Sequence, residues 1–279
     1  MRKIAIQGFE GCFHEMAAKQ YFNNADAELI YCSTFDQLFN TVQQNDGDTI
    51  GVVAIENTIA GSLLHNYELL CASGLEVVGE KKIHISHSIC CLADDSWDTV
   101  TEVHSHPVAL MQCRRYLENH PNLRSVEADD TAGAALHIAK NNLHGQAAIC
   151  NASAAKRFGM KILEEGIEDN KHNYTRFLII TPKDVSDEYR QRTATNKASL
   201  AFTLKHEQGS LAHVLSIFSF YGINLTKIQS LPIIGREWEY MFYIDLKYAD
   251  YTLYRQSIDA VKPLTSEFIN LGEYNDDSK

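Results

Sequence analysis

Short apolar runs alternate with amphipathic stretches through the first two-thirds of the chain. "KIAIQG" is followed by "FHEMAAKQYF", "TIGVVAIEN" by "SLLHNYELLCASG", "TEVHS" by "PVALMQCRRYLENH", "SVEAD" by "TAGAALHIAKNN", and "QAAIC" by "NASAAKRFG". Short apolar runs suit buried strands and a 3.6-residue period suits helices, so the alternation predicts βαβ units around largely parallel sheets. Helix boundaries are written into the same stretches. Pro107 suits a first helical position after Ser105 and His106, Asp130 suits a cap, and Gly159 suits a left-handed end to "ASAAKRF".

From 183 to 197 the sequence "KDVSDEYRQRTATNK" loses its apolar period and reads as a linker. Beyond it, "ASLAFTLKH", "SLAHVLSIFSFYG", "INLTKIQSLPII", "EWEYMFYIDLK", a helical pattern from about Tyr251 and "FINLGEY" give the order βαββαβ, a small sheet with helices on one face. Edge strands of such a unit commonly pair with a second copy, so an oligomer is expected.

Composition narrows the function. A net charge of −11 with no Lys/Arg cluster excludes a nucleic-acid backbone partner and makes any contact to an anionic ligand local. The start "MRKIAIQGFEG" lacks the apolar core of a signal peptide and no apolar stretch is long enough to span a membrane, so a soluble cytoplasmic protein is expected. Seven cysteines without a paired framework suggest reduced thiols. The twelve histidines include "HISH" and "HSH", but no HExxH or Cys/His finger spacing occurs, so no metal or other cofactor is expected.

Four polar clusters follow strands, where α/β sheets bind ligands. "GFEGCFH" offers Gly8 and Gly11 before a helix, a turn able to receive an anion or simply a turn. In "IENT", Glu56, Asn57 and Thr58 either orient a polar ligand or cap the next helix. Ser105 and Gln112 are about two helical turns apart and can share a side; alternatively Ser105 caps and Gln112 is solvated. The fourth, "HNYTRFLII", enters an apolar strand through Asn173, Thr175 and Arg176.

In this order the clusters resemble the prephenate dehydratase family. The similarity runs from residue 3 to about 246, carried by "GFEGCF", "AIENTIAGSL", "VHSHPVALMQC", "DTAGAALHIA", "QAAICNASAAKRFGM", "NYTRF" and "GSLAHVLSIFSFYGINLTKIQSLP". The resemblance implies an α/β fold with a two-lobed, periplasmic-binding-protein-like catalytic domain over 1–182, a linker over 183–197 and an α+β ACT regulatory domain over 198–279. It implies conversion of prephenate to phenylpyruvate in phenylalanine biosynthesis, L-phenylalanine as effector, and a homo-dimer or tetramer. Arogenate dehydratase and a non-catalytic amino-acid sensor are the alternatives. Two motifs depart from the family pattern. Phe9, Cys12 and His14 stand where the first loop usually has Pro, Thr and Ser, and Gln229, Ser230, Leu231 and Pro232 stand where the tail often has Glu-Ser-Arg-Pro.

The resemblance assigns Thr175 as the donor that helps the ring hydroxyl depart, acting as a hydrogen-bond donor or relay because an alcohol is a poor acid. Arg176 is implied to hold a carboxylate or to tie the lobes together; adjacent strand residues point to opposite faces, which constrains the first role. Glu56 orients a neighbour or, with a raised pKa, donates a proton. Ser105 and Gln112 complete the catalytic set, and Asn57, Thr58, Gly11, Cys12 and Phe177 are assigned to substrate binding. The expected phenylalanine site comprises Gly209, Ser210, Leu211, Ala212, Asn224, Leu225, Gln229 and Ser230. There Gly209 receives the carboxylate and Asn224 the ammonium, or both residues merely shape turns.

Overall fold

The computed structural model describes residues 2–23, 27–44, 47–189 and 195–277. The chain begins with β1 (Arg2–Gln7), α1 (Phe13–Tyr21), β2 (Ala27–Cys32), α2 (Phe35–Gln44), β3 (Thr49–Asn57), a two-residue β4 (Gly61–Ser62), α3 (Leu64–Ser73) and β5 (Glu76–His84). It then runs through β6 (Ser88–Cys91), β7 (Glu102–Ser105), α4 (Pro107–Gln112), α5 (Arg114–Glu118), β8 (Arg124–Glu127), α6 (Thr131–Asn141), β9 (Gln146–Cys150), α7 (Ala152–Arg157) and β10 (Lys161–Glu165). β11 (Tyr174–Thr181) returns to the first sheet, whose order is β2-β1-β3-β11-β5 with β4 against β3. The second sheet has the order β10-β6-β9-β7-β8.

The boundary residues act as expected. Pro107 is the first residue of α4, the Asp130 carboxylate accepts from Gly133 N–H at 2.8 Å to cap α6, and Gly159 follows α7 with φ +68°. Two expectations need correction. β7 runs parallel to β8 and β9, but β6 is antiparallel to both β9 and β10. β6 is reached from β5 through residues 85–87 with no crossover helix, so nothing holds it to the direction of the βαβ strands. The stretch after Pro107 is two helices instead of one. Asp169 takes up the backbone groups at the break, donating its N–H to Gln112 O at 2.7 Å and accepting Arg115 N–H at 3.1 Å.

After α8 (Ser186–Tyr189) come β12 (Lys197–Leu204), α9 (Ser210–Phe220), β13 (Asn224–Pro232), β14 (Tyr240–Lys247), α10 (Tyr251–Val261) and β15 (Thr265–Tyr274). Of the expected linker, residues 190–194 lie outside the described residues, 186–189 are helical, and Lys197 already belongs to β12. The tail therefore has the order βαββαβ, and its antiparallel sheet runs β13-β14-β12-β15. Phe202, Ile244 and Leu246 from the sheet meet Val214 and Phe218 of α9 and Tyr254 and Ile258 of α10 in one core. The chain divides into two compact units, Met1–Leu38, Val52–Leu63 and Lys82–Phe177 in one, and Phe39–Gly51, Leu64–Lys81 and Leu178–Lys279 in the other. Among the described residues no helix is long and apolar enough to cross a membrane.

Each unit buries a polar group whose cost must be offset locally. In the second, Lys197 Nζ meets Glu80 Oε2 at 2.7 Å, both side chains almost completely covered. Removing one partner leaves the other charge stranded, whereas removing both leaves an apolar contact. Lys197→Met is expected to cost about 3–5 kcal/mol in urea unfolding, and Lys197→Met with Glu80→Leu to recover most of it. Equal losses in the single and double variants would contradict the pairing.

In the first unit, α1 turns His14 inward, where its ring packs edge-on against Phe177 at 4.9 Å and its Nε2 accepts Ala54 N–H at 3.3 Å. Burial disfavours the imidazolium and lowers the His14 pKa from 6.5 to about 3. The unfolded chain therefore takes up a proton between pH 6.5 and about 3 that the folded chain refuses. Stability from this residue is complete above 6.5 and falls on acidification, by up to about 1.4 kcal/mol per pH unit. His14→Phe should flatten that part of the wild-type stability curve in denaturation at stepped pH. Identical slopes in the two proteins would mean that His14 is protonated in the fold.

Candidate active site

β3 ends at Asn57, and the turn that follows fixes that side chain. Asn57 Oδ1 accepts two backbone N–H groups, from Ile59 and Ala60, both at 2.9 Å. Backbone N–H groups only donate, so the other end of the carboxamide must be the nitrogen. Asn57 Nδ2 accordingly faces three acceptors: Asn173 Oδ1 at 2.8 Å, Thr175 Oγ1 at 2.9 Å and Tyr174 O at 3.2 Å. With its oxygen used in that way, Asn173 turns its nitrogen to Gln112 Oε1 at 3.0 Å. The Thr175 hydroxyl thus accepts from Asn57, and among the described residues no acceptor takes its own proton.

Thr58 stitches the end of β3 to the start of β11. Its N–H donates to Tyr174 O and its hydroxyl accepts Tyr174 N–H, each at 2.9 Å, while that hydroxyl donates to His172 O at 3.1 Å. Both strand ends open on a cavity of about 320 Å³ lined entirely from the first unit. Thr175, Asn57, Gln112, Cys12 and Phe177 line it, together with His14, His87, His106, Asp129 and Asp130. No Lys or Arg is among the lining residues. Burial raises the Asp130 pKa and pushes the Cys12 thiol up to about 12, so Cys12 is a neutral filler and no thiolate.

The other expected site residues lie elsewhere. Arg176 is buried on the face of β11 opposite Thr175, its Nε 3.4 Å from Glu56 Oε1, and neither residue lines the cavity. Strand alternation separates them from the hydroxyl, and the geometry gives the pair a bracing position. Ser105 neither lines the cavity nor caps α4. Its hydroxyl donates to Ile149 O at 2.6 Å, holding β7 to β9, and the cap is His106, whose Nδ1 accepts Val108 N–H. Gln112 is buried, not solvated. Gly11 stands behind the loop at φ +81°, where a Cβ would lie 3.0 Å from that of Ala154, and its carbonyl accepts Asn151 Nδ2 at 2.7 Å. Thr58 does its work on the backbone. His87 and His106 were weighed in the sequence only as parts of "HISH" and "HSH" and set aside as metal ligands, and Asp129 was not singled out; the signal available was a polar residue at the end of each of "HISH", "HSH" and "SVEAD".

In the tail, Gly209 caps α9 at φ +84°, followed by Ser210, Leu211 and Ala212 in its first turn. Asn224 and Leu225 line a separate hollow of about 450 Å³ with Phe218 and Gly222, to which Gly209–Ala212 do not contribute. Gln229 and Ser230 lie on β13, an edge strand.

A prephenate dehydratase family model matches residues 4–185. The Arabidopsis thaliana chloroplastic arogenate dehydratase 5 is 37% identical over 263 residues, covering 88% of this chain and 60% of that protein. The chain spans 60 to 66% of the length of the curated relatives it matches. Among solved structures, a prephenate dehydratase from Arthrobacter aurescens in complex with L-Phe aligns with a TM-score of 0.86 at 25% identity, over 98% of this chain and 89% of that one. GqqA, described as a novel type of quorum-quenching acylase, aligns with a TM-score of 0.83 at 26% identity, over 99% of this chain and 98% of that one. Matched by the family model over residues 4–185 and 37% identical to a curated relative over 88% of its length, this chain belongs to the prephenate dehydratase family.

Proposed function

We propose that the chain removes carbon dioxide and water from prephenate to give phenylpyruvate, with Thr175 as the group that assists departure of the ring hydroxyl. The observation that carries this reading is the direction of one hydrogen bond: Thr175 Oγ1 accepts from Asn57, which leaves its proton for the ligand. Loss of carbon dioxide and hydroxide aromatises the ring, so the chemistry is downhill once the hydroxide leaves as water. A hydroxyl polarised by an amide donor is a hydrogen-bond donor in the right place, worth roughly 10²–10⁴ in rate where it acts in the transition state. Gln112, Asn173 and Asn57 fix its direction without adding charge. Arg176 and Glu56 brace β11 against β3 from the far face.

Arogenate is a second substrate that a specific feature favours. The cavity carries Asp129 and Asp130 and no Lys or Arg, a balance that suits a side chain bearing an ammonium, as in arogenate, better than one bearing a neutral keto group, as in prephenate. Hydrolysis of an acyl amide is not part of the proposal, because no described imidazole or carboxylate hydrogen-bonds Thr175 Oγ1 and would make it a nucleophile.

We further assign 1–182 to a two-lobed catalytic part acting in the cytoplasm, and 198–279 to an ACT regulatory domain that binds phenylalanine between paired tails. The split between Gly209 and the Asn224 hollow supports that assignment, since a site drawing on both needs a second copy in a dimer or tetramer.

Purified protein assayed with prephenate and with arogenate should release phenylpyruvate or phenylalanine. Thr175→Ala should lose roughly 10²–10⁴ in kcat with a smaller change in KM, and Thr175→Ser should keep most of the rate. Wild-type turnover in a folded alanine variant would remove Thr175 from the mechanism. Calorimetry and sedimentation of the full-length protein with phenylalanine should give binding coupled to assembly and a shift in activity of about 1–3 kcal/mol. No binding at millimolar phenylalanine would make the tail an assembly device only.

A further inference from the structure

We propose that His87 is a positioning residue of this site: as a neutral imidazole donating from Nε2 to Gln112, it closes the amide chain that aims the Thr175 hydroxyl. The geometry stands independently of the dehydratase reading; the expected effect on turnover rests on it.

The polarity of the chain propagates from one end to the other. Ile59 and Ala60 N–H groups force Asn57 to donate, Asn57 makes Asn173 Oδ1 an acceptor, and Asn173 Nδ2 makes Gln112 Oε1 an acceptor. His87 Nε2 lies 3.0 Å from that same Gln112 oxygen. Two donors therefore converge on Gln112 Oε1, and the hydrogen of a neutral His87 sits on Nε2. The other ring nitrogen, Nδ1, is buried with no hydrogen-bond partner among the described residues, so no group on that side competes for the ring.

His87 is itself held firmly. It is 2% exposed; its N–H donates to Glu168 Oε2 at 2.8 Å, its carbonyl accepts Ile167 N–H at 3.0 Å, and Phe13 packs edge-on against the ring at 5.9 Å. The short link from β5 to β6 thus presents a rigid donor to a flexible glutamine. Without it, Gln112 Oε1 keeps only Asn173, and both carboxamides gain freedom to turn. Small errors of aim at a reacting group are costly in rate while leaving ligand contacts largely intact. His87 acts through Gln112 and does not need to touch the substrate.

The test compares His87→Leu, which keeps bulk and loses the donor, with His87→Gln, whose terminal amide can donate to Gln112. Steady-state kinetics should show kcat reduced about 10- to 100-fold in the leucine variant with KM changed far less, and most of that loss restored by glutamine. In ¹⁵N-histidine-labelled wild-type protein, the resonance missing from His87→Gln should report a neutral ring protonated at Nε2. Undiminished kcat in His87→Leu, equal losses in both variants, or a proton on Nδ1 would each overturn the proposal. If the wild type turns over neither prephenate nor arogenate, the functional reading fails, and the tautomer measurement still decides the role of His87 in the network.

Discussion

The site depends on which end of one carboxamide is the oxygen. Two backbone N–H groups of the turn after β3 settle that for Asn57, and every polar side chain beyond it follows in sequence. Such a network has few acceptable arrangements, because reversing any member would set oxygen against oxygen in a buried place where water cannot compensate. Its result is a threonine hydroxyl that accepts from behind and keeps its proton uncommitted among the described residues. Chemistry of modest acidity is thereby given a direction.

The same strand pleat that presents Thr175 to the cavity turns Arg176 away from it. Neighbours on a strand face opposite ways, and β11 places the hydroxyl on the cavity and the guanidinium beside Glu56. The cavity is consequently lined by neutral amides, aromatic and apolar groups, and two aspartates, with its histidines kept neutral where burial is deep, as at His14. On the proposed dehydratase reading, recognition of the ring carboxylate falls to hydrogen-bond donors instead of fixed cations. This suits a reaction in which that carboxylate must leave as neutral carbon dioxide, since a strong ion pair would stabilise the ground state.

Local signals were legible wherever they were self-contained. Pro107, Asp130 and Gly159 marked helix ends from backbone chemistry alone, and the tail order βαββαβ followed from period and turns. Direction and partnership were less accessible. Nothing near β6 announces that it runs antiparallel, and β2 and α2 went unread even though "FDQLFNTVQQ" carries a helical apolar period that buries Leu38, Phe39 and Val42. At the site, Thr175, Asn57 and Gln112 stood out locally only as polar side chains at element ends, a pattern that also fits caps and solvated positions, and their roles came from the family resemblance. Ser105 satisfied the same rule and proved to hold β7 to β9. His87 was passed over because its meaning lies in a partner 25 residues away, a relation no local pattern expresses.

Asn57→Asp tests the central claim most directly, because it keeps the shape and replaces one donor by an acceptor. The Thr175 proton would then be drawn back to the new carboxylate and away from the ligand. The account predicts a folded protein that still binds substrate but turns over at least about a hundredfold more slowly. A folded Asn57→Asp variant with the wild-type kcat would contradict it.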